Sequence, residues 1–182
     1  MSFTAGRRTR YHLGMIRTLA LFCGLLAAAS SGIGQAAELR TAVFDLEFND
    51  TSIEGEISGS NSGEEQRLAM LTNRLREALD ESKRYDVVDI GPVREAALAS
   101  NLQNCGGCDL RLASELGADL AVTGVVQKVS NLILNINVYV RDVRSGKLVE
   151  GHSADIRSNT DESWLRGLNW ILKNRILVDE QP

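Results

Sequence analysis

The sequence predicts an α/β domain of the α+β-like kind. It has a single mixed β-sheet of about five strands with helices packed on it, in the order β-α-β-α-α-β-β-β-α. Three observations carry this. Near residue 41 the chain opens strand, helix, strand, and such a unit sets its two strands parallel through a right-handed crossover. From Ala118 to Ile156 three extended segments follow one another across short turns, the pattern of antiparallel hairpins. Leucines at Leu68, Leu71, Leu75 and Leu79 recur at spacings of three and four, which marks one face of a helix.

The elements follow in order. Thr41–Phe48 reads TAVFDLEF and predicts one strand, with Ala42, Phe44, Leu46 and Phe48 on one face and Asp45 and Glu47 on the other. Asn49–Gly63 is rich in Ser, Gly and acid and predicts a long mobile loop. Glu64–Ser82 predicts the leucine-faced helix, its acidic start favourable to the helix dipole. Tyr85–Ile90 is a short strand. Pro92 suits the first turn of a helix running to about Ser100. Asn101–Gly107 is a loop, and Asp109–Leu116 a short helix stopped by Gly117.

Ala118–Val129 is apolar on both faces for much of its length, as a central strand is. Ser130-Asn131 forms a turn. In Leu132–Val143 the residues Leu134, Ile136, Val138 and Val140 face inward, while Asn135, Asn137, Tyr139 and Arg141 face outward. Arg144–Lys147 is a hairpin turn, and Leu148–Ile156 the third consecutive strand. Asn159 and Glu162 stand at capping-box spacing and open a last helix over about Asp161–Val178. Trp164 and Trp170 lie six apart on it, about 240° around the axis, so one belongs to the core and the other is left for a partner to touch.

The first 36 residues are read apart from the rest. They hold Arg7, Arg8, Arg10 and Arg17 and no acid, and Thr18–Ser30 is an apolar run of signal-peptide length. It is shorter than the roughly 20 residues needed to span a bilayer. Gly34 and Ala36 suit cleavage before Ala37, with cleavage after Ala37 as the neighbouring option. The expectation is a cleavable signal over 1–36 and a single domain over 37–182, exported and periplasmic, with no stable membrane insertion after cleavage. Of the 182 residues 20 are basic and 24 acidic, a net charge of -4. Without the signal, 16 basic and 24 acidic residues leave -8. That charge argues against nucleic acid, which needs a basic footprint.

Cys105-Gly106-Gly107-Cys108 is the sharpest chemical motif, and with Cys23 gone these are the only cysteines. An exported compartment is oxidising, so a short-loop structural disulfide is the favoured reading. A redox pair is the alternative, since a thiolate at a helix start is stabilised by the helix amides. Two cysteines fill half of a zinc shell and no second pair exists, so no metal and no cofactor is expected. His152 is the only histidine after residue 36. Its neighbours Ser153 and Asp155 point away from it on a strand, so no triad is expected. Asp45, Glu47, Asp50, Glu54 and Glu56 form an acidic run without the spacing of an EF-hand loop. No catalytic residue is assigned. The candidate partner surface is the polar stripe Asn131, Asn135, Asn137, Tyr139 and Arg141.

Several stretches resemble exported bacterial modules related to the amino-terminal domain of TolB and to the curli-secretion protein CsgG. They are Val43-Phe44-Asp45-Leu46, Tyr85–Asp89, Cys108–Ala113 and Leu116–Val126, leading into Val138–Val143 and Gly146. Lys128–Leu134 and Asn159–Trp164 further resemble a small family of uncharacterised exported proteins. The resemblance implies an accessory, assembly or scaffold module acting on another periplasmic or envelope protein. The TolB propeller and the CsgG membrane hairpins have no counterpart here, so neither pore formation nor propeller binding is implied.

Overall fold

The computed structural model describes residues 37–59 and 61–178. The export segment and Ala36 lie outside the described residues. One mixed sheet of six strands organises the domain. The strands are β1 (Leu39–Val43), β2 (Glu47–Asp50), β3 (Tyr85–Val88), β4 (Leu120–Ser130), β5 (Ile133–Asp142) and β6 (Leu148–Ile156). Their order is β3-β1-β4-β5-β6, with β2 also paired to β4. β1 runs parallel to β3 and β4, and β2 parallel to β4. The β4-β5 and β5-β6 pairs are antiparallel. The helices are α1 (Ile53–Ser58), α2 (Ser62–Glu81), α3 (Arg94–Leu98), α4 (Cys108–Glu115) and α5 (Asp161–Ile171). A 3-10 turn at Gly91–Val93 leads into α3, and a π turn at Leu172–Ile176 ends α5.

The two sheet faces carry separate cores. Val122 and Val126 of β4 and Leu134, Ile136, Val138 and Val140 of β5 pack under α2 and α5, around the fully buried Trp164. Ala42, Phe44 and Ala121 face the other way and pack under α3 and α4 with Val93, Leu112 and Ala113. The inward set predicted for β5 is therefore correct, and so are the bounds of β6. Trp164 is core and Trp170 is 45% exposed.

The opening strand departs from its predicted form. Instead of one strand with a constant face, it breaks at residues 44–46. Val43 pairs with Val122, but Glu47 pairs with Val125. Four steps along one strand thus match three along the other. A one-residue slip exchanges the two faces of a strand. Ala42 and Phe44 consequently sit in one core, whereas Leu46 and Phe48 belong to the other. The break is held by bonds from α2. Thr72 Oγ1 accepts from Leu46 N–H at 3.1 Å, and the Arg76 guanidinium donates to Val43 O.

Two further expectations change. The stretch predicted as a mobile loop contains the end of β2, all of α1 and the first two residues of α2. Ser52 caps α1, accepting from Gly55 N–H. Asn61 caps α2 reciprocally with Glu64. At the last helix the cap is Thr160, accepting from Ser163 N–H, and not Asn159. The Asn159 side chain turns inward, where its Oδ1 accepts from the Trp164 indole N–H at 3.1 Å.

Candidate functional site

The α3-α4 layer covers only part of its sheet face. Beyond it lies an open groove of about 1050 Å³. Strand alternation sets its floor. On β4 the even residues face α2 and α5, so Thr123, Val125 and Gln127 face the groove. On β2 the same logic brings Glu47 and Asn49 to it, and on β5 Tyr139 and Arg141. Gly124 allows the floor to close. A Cβ there would stand 2.6 Å from Leu46 Cδ2 and 2.8 Å from the Asn137 carbonyl oxygen.

The wall is the segment that follows α3. Both carboxylate oxygens of Glu47 accept from it, from Leu102 N–H at 2.7 Å and Gln103 N–H at 3.3 Å. Gln103 Nε2 is buried and has no hydrogen-bond partner among the described residues. Below the wall, Cys105 and Cys108 form a disulfide with Cα atoms 5.7 Å apart. Cys105 is exposed, and its Sγ accepts from Cys108 N–H at 3.3 Å, where α4 begins. Gly106 and Gly107 have φ of 69° and 110°, conformations that favour glycine, so the turn between the cysteines needs both.

The five stripe residues fall into different settings. Arg141 donates to both oxygens of the buried Asp109 at 3.0 Å and to Gly146 O, which ties β5 to α4. Asn135 bonds Ser153 and Asp155 across the sheet. Asn131 lies at the β4-β5 turn and bonds Glu54 and Asn159. Asn137 and Tyr139 have no side-chain hydrogen bond among the described residues. The same holds for Asn49 and Gln127, two groove residues that sequence reading missed. Their signal was the odd-numbered set of β4 and the partner register of β2.

The acidic run does not gather at one site. Asp45 pairs with Arg76 at 2.9 Å and Arg94 at 3.2 Å. Glu47 holds the wall. Asp50 and Glu64 instead converge on Lys128, a lysine whose side chain is 1% exposed on the sealed face of the sheet. Lys128 Nζ lies 3.0 Å from Asp50 and 2.7 Å from Glu64, with Glu54 at 3.6 Å. Asn159 Nδ2 completes the cluster by donating to Glu64 at 2.7 Å. Burial pushes the Glu64 carboxyl up, but hydrogen bonds from Lys128, Asn159 and Asn61 outweigh it and hold the group below its ordinary range. Asp50 is lowered the same way, burial being outweighed by bonds from Ser52 and Lys128. Burial pushes Lys128 down, yet its two carboxylate partners raise it on balance.

His152 faces away from the groove and sits 3.2 Å from Glu150. Its neighbours Ser153 and Asp155 face the opposite side, bonded to Asn135. Strand geometry thus separates the three groups. Among the described residues no group of three or more His, Cys, Asp or Glu side chains is placed to hold a metal. No helix among them is long and apolar enough to cross a membrane.

The chain belongs to the family described as "Protein of unknown function (DUF2380)", which it matches over residues 39–176. None of the curated proteins matches it in sequence. Among solved structures it is similar to the LpoB C-terminal domain from Salmonella enterica, at 14% identity and a TM-score of 0.48, covering 69% of this chain and 87% of that one. It is similar to the lipoprotein GNA1162 from Neisseria meningitidis, at 20% identity and 0.46, covering 76% and 96%. With TolB from Acinetobacter baumannii the figures are 11% and 0.42, covering 75% of this chain and 28% of that one.

Proposed function

We propose that the chain is an exported, periplasmic accessory module without catalytic activity, which holds another envelope protein on the open face of its sheet. A signal over residues 1–36, cleaved beside Ala36 or Ala37, delivers it. The role is of the assembly or scaffold kind that the resemblance to TolB and CsgG modules implies. One observation carries the reading. Asn49, Gln127, Asn137 and Tyr139 stand together on an uncovered sheet face with no hydrogen-bond partners of their own among the described residues. Amide and phenol groups held on rigid strands supply directed donors and acceptors, and tyrosine adds apolar contact area. Arg141, Asn135 and Asn131 support that row by fixing the strand and its neighbours.

Co-purification from exporting cells tests this. The wild-type chain should retain a specific envelope protein, and Asn137→Ala with Tyr139→Ala should lose it without a change in melting temperature. Retention of the same protein by the double variant would contradict the reading.

A second reading rests on the exposed Cys105, whose sulfur faces the first amide of α4. It makes the chain a periplasmic thiol-disulfide protein. A reduction potential below about -300 mV marks a bond that resists reduction and would eliminate this alternative. A higher potential, with a Cys105 thiolate that forms near neutral pH, would favour it.

A further inference from the structure

β6 pairs with β5 along its inner side, from Leu134↔Ile156 to Arg141↔Leu148. Among the described residues no strand lies on its outer side. Alternate residues along this edge therefore present their backbone donors and acceptors outward. Lysine, proline and bulges commonly protect an edge. Leu148–Ile156 contains no lysine or proline, and its bulge, where the register shifts between Val140 and Arg141, lies at its first end and leaves Glu150–Ile156 regular. A cleft of about 450 Å³ runs beside the second half of this edge, between β6 and α5. Ala154, Ile156 and Gly167 line it, and the half-exposed Trp170 forms one side. Gly167 lets α5 approach the sheet, since a Cβ there would stand 3.3 Å from Ile136 Cδ1.

Two arginines, Arg157 and Arg166, stand at this cleft in a chain whose residues 37–182 carry -8, and the one acid that lines it, Asp155, accepts from Asn135. Arg157 makes no ion pair among the described residues. Among the described residues Arg166 pairs with Glu162 alone, at 3.1 Å with both side chains well exposed, an arrangement that holds its partner weakly. The Arg175 guanidinium lies 5.3 Å over the Trp170 ring.

We propose that the free edge of β6 takes up an extended acidic segment of a partner protein as an added strand. Such a strand lies about 4.8 Å from β6, and alternate side chains point to opposite faces. Those on the helix side enter the cleft beside Trp170, and a carboxylate at its end reaches Arg157 and Arg166. Charge selects this occupant over a second copy of the chain. Symmetric self-pairing over Ser153–Ile156 would bring the Arg166 rims of both copies together. The site is separate from the groove, with Tyr139 as a control that distinguishes the two.

A phage-displayed library of random nine-residue peptides, selected on the full chain, tests the proposal. Enriched peptides should alternate apolar and polar residues and carry Asp or Glu. Arg157→Glu with Arg166→Glu, folded by circular dichroism, should weaken them at least tenfold. Trp170→Ala should weaken them severalfold, and Tyr139→Ala should leave them unchanged. The proposal is overturned if no sequence is enriched, or if the enriched peptides bind the double variant as tightly as the wild type. It is equally overturned if Tyr139→Ala removes them, or if sedimentation shows a dimer that excludes them.

Discussion

The two faces of the sheet are built from the same strands and end in opposite states. On the face under α2 and α5 the inward positions of β4 from Leu120 to Lys128 and of β5 from Leu134 to Val140 are buried. Even the charge that falls there, Lys128, is matched by Asp50 and Glu64. On the other face α3 and α4 cover one part, and the uncovered part keeps polar side chains that have no partners among the described residues. The sealed face spends its polar groups on itself, and the open face does not. A buried charge whose bonds are all internal stabilises but recognises nothing. Polar groups held rigidly on an open strand face remain available to another molecule.

The sealed face depends most on Lys128. Lys128→Ala leaves two carboxylates buried without their cation, and the loss should be roughly 3–5 kcal/mol in chemical unfolding. Its pH dependence is specific. Asp50 and Glu64 lie below their ordinary values of 3.8 and 4.5. A lowered carboxylate contributes stability that is present above those values and lost as pH falls through the folded pKa. Lys128 lies above its ordinary 10.5, so its contribution is lost only as pH rises beyond that. The urea midpoint of the wild type should therefore decline below about pH 4. In Lys128→Ala the carboxylates lose the lysine's hydrogen bonds and charge but keep burial and the bonds from Ser52, Asn159 and Asn61, so they rise relative to the wild type and the gap between the two proteins should narrow on acidification. A gap that stays constant would remove the cluster from the account of the sealed face.

The next effect lies where the two faces meet. Gly124→Ala would drive a methyl into Leu46 and the Asn137 carbonyl. Overpacking of this kind costs about 1–3 kcal/mol, read as a lower melting temperature. Cys105→Ser with Cys108→Ser opens a four-residue loop and should cost about 2 kcal/mol or less. The smallest effect belongs to the open face. Tyr139→Ala should change stability by less than about 0.5 kcal/mol, as a surface substitution does, while removing partner capture.

Much of this was legible in the sequence. Long alternation in β5 and the leucine spacing in α2 report their faces directly, because burial on one side imposes the period. The first strand misled because a one-residue slip leaves hydrophobicity unchanged and only exchanges faces. Helix α1 was hidden because it buries none of its residues and, at six residues, is too short for the single Ile53–Ile57 spacing to establish a period. Asn159 has the composition of a cap, but the adjacent Thr160 takes that role and frees it for Glu64. Lys128 did leave a signal. It continues the inward row of Val122, Gly124 and Val126, and a lysine in that row needs a buried acid. Which acid answers it depends on contacts 64 and 78 residues away, which no local pattern records.

Positional photo-cross-linking in exporting cells tests the contrast between the faces most directly. A photoreactive residue would be placed at Tyr139 or Gln127 on the open face, and at Asn73, exposed on α2 where it covers the sealed face. One specific adduct is expected from the open-face positions and none from Asn73. Equal adducts from both faces, or none from Tyr139 and Gln127, would contradict it.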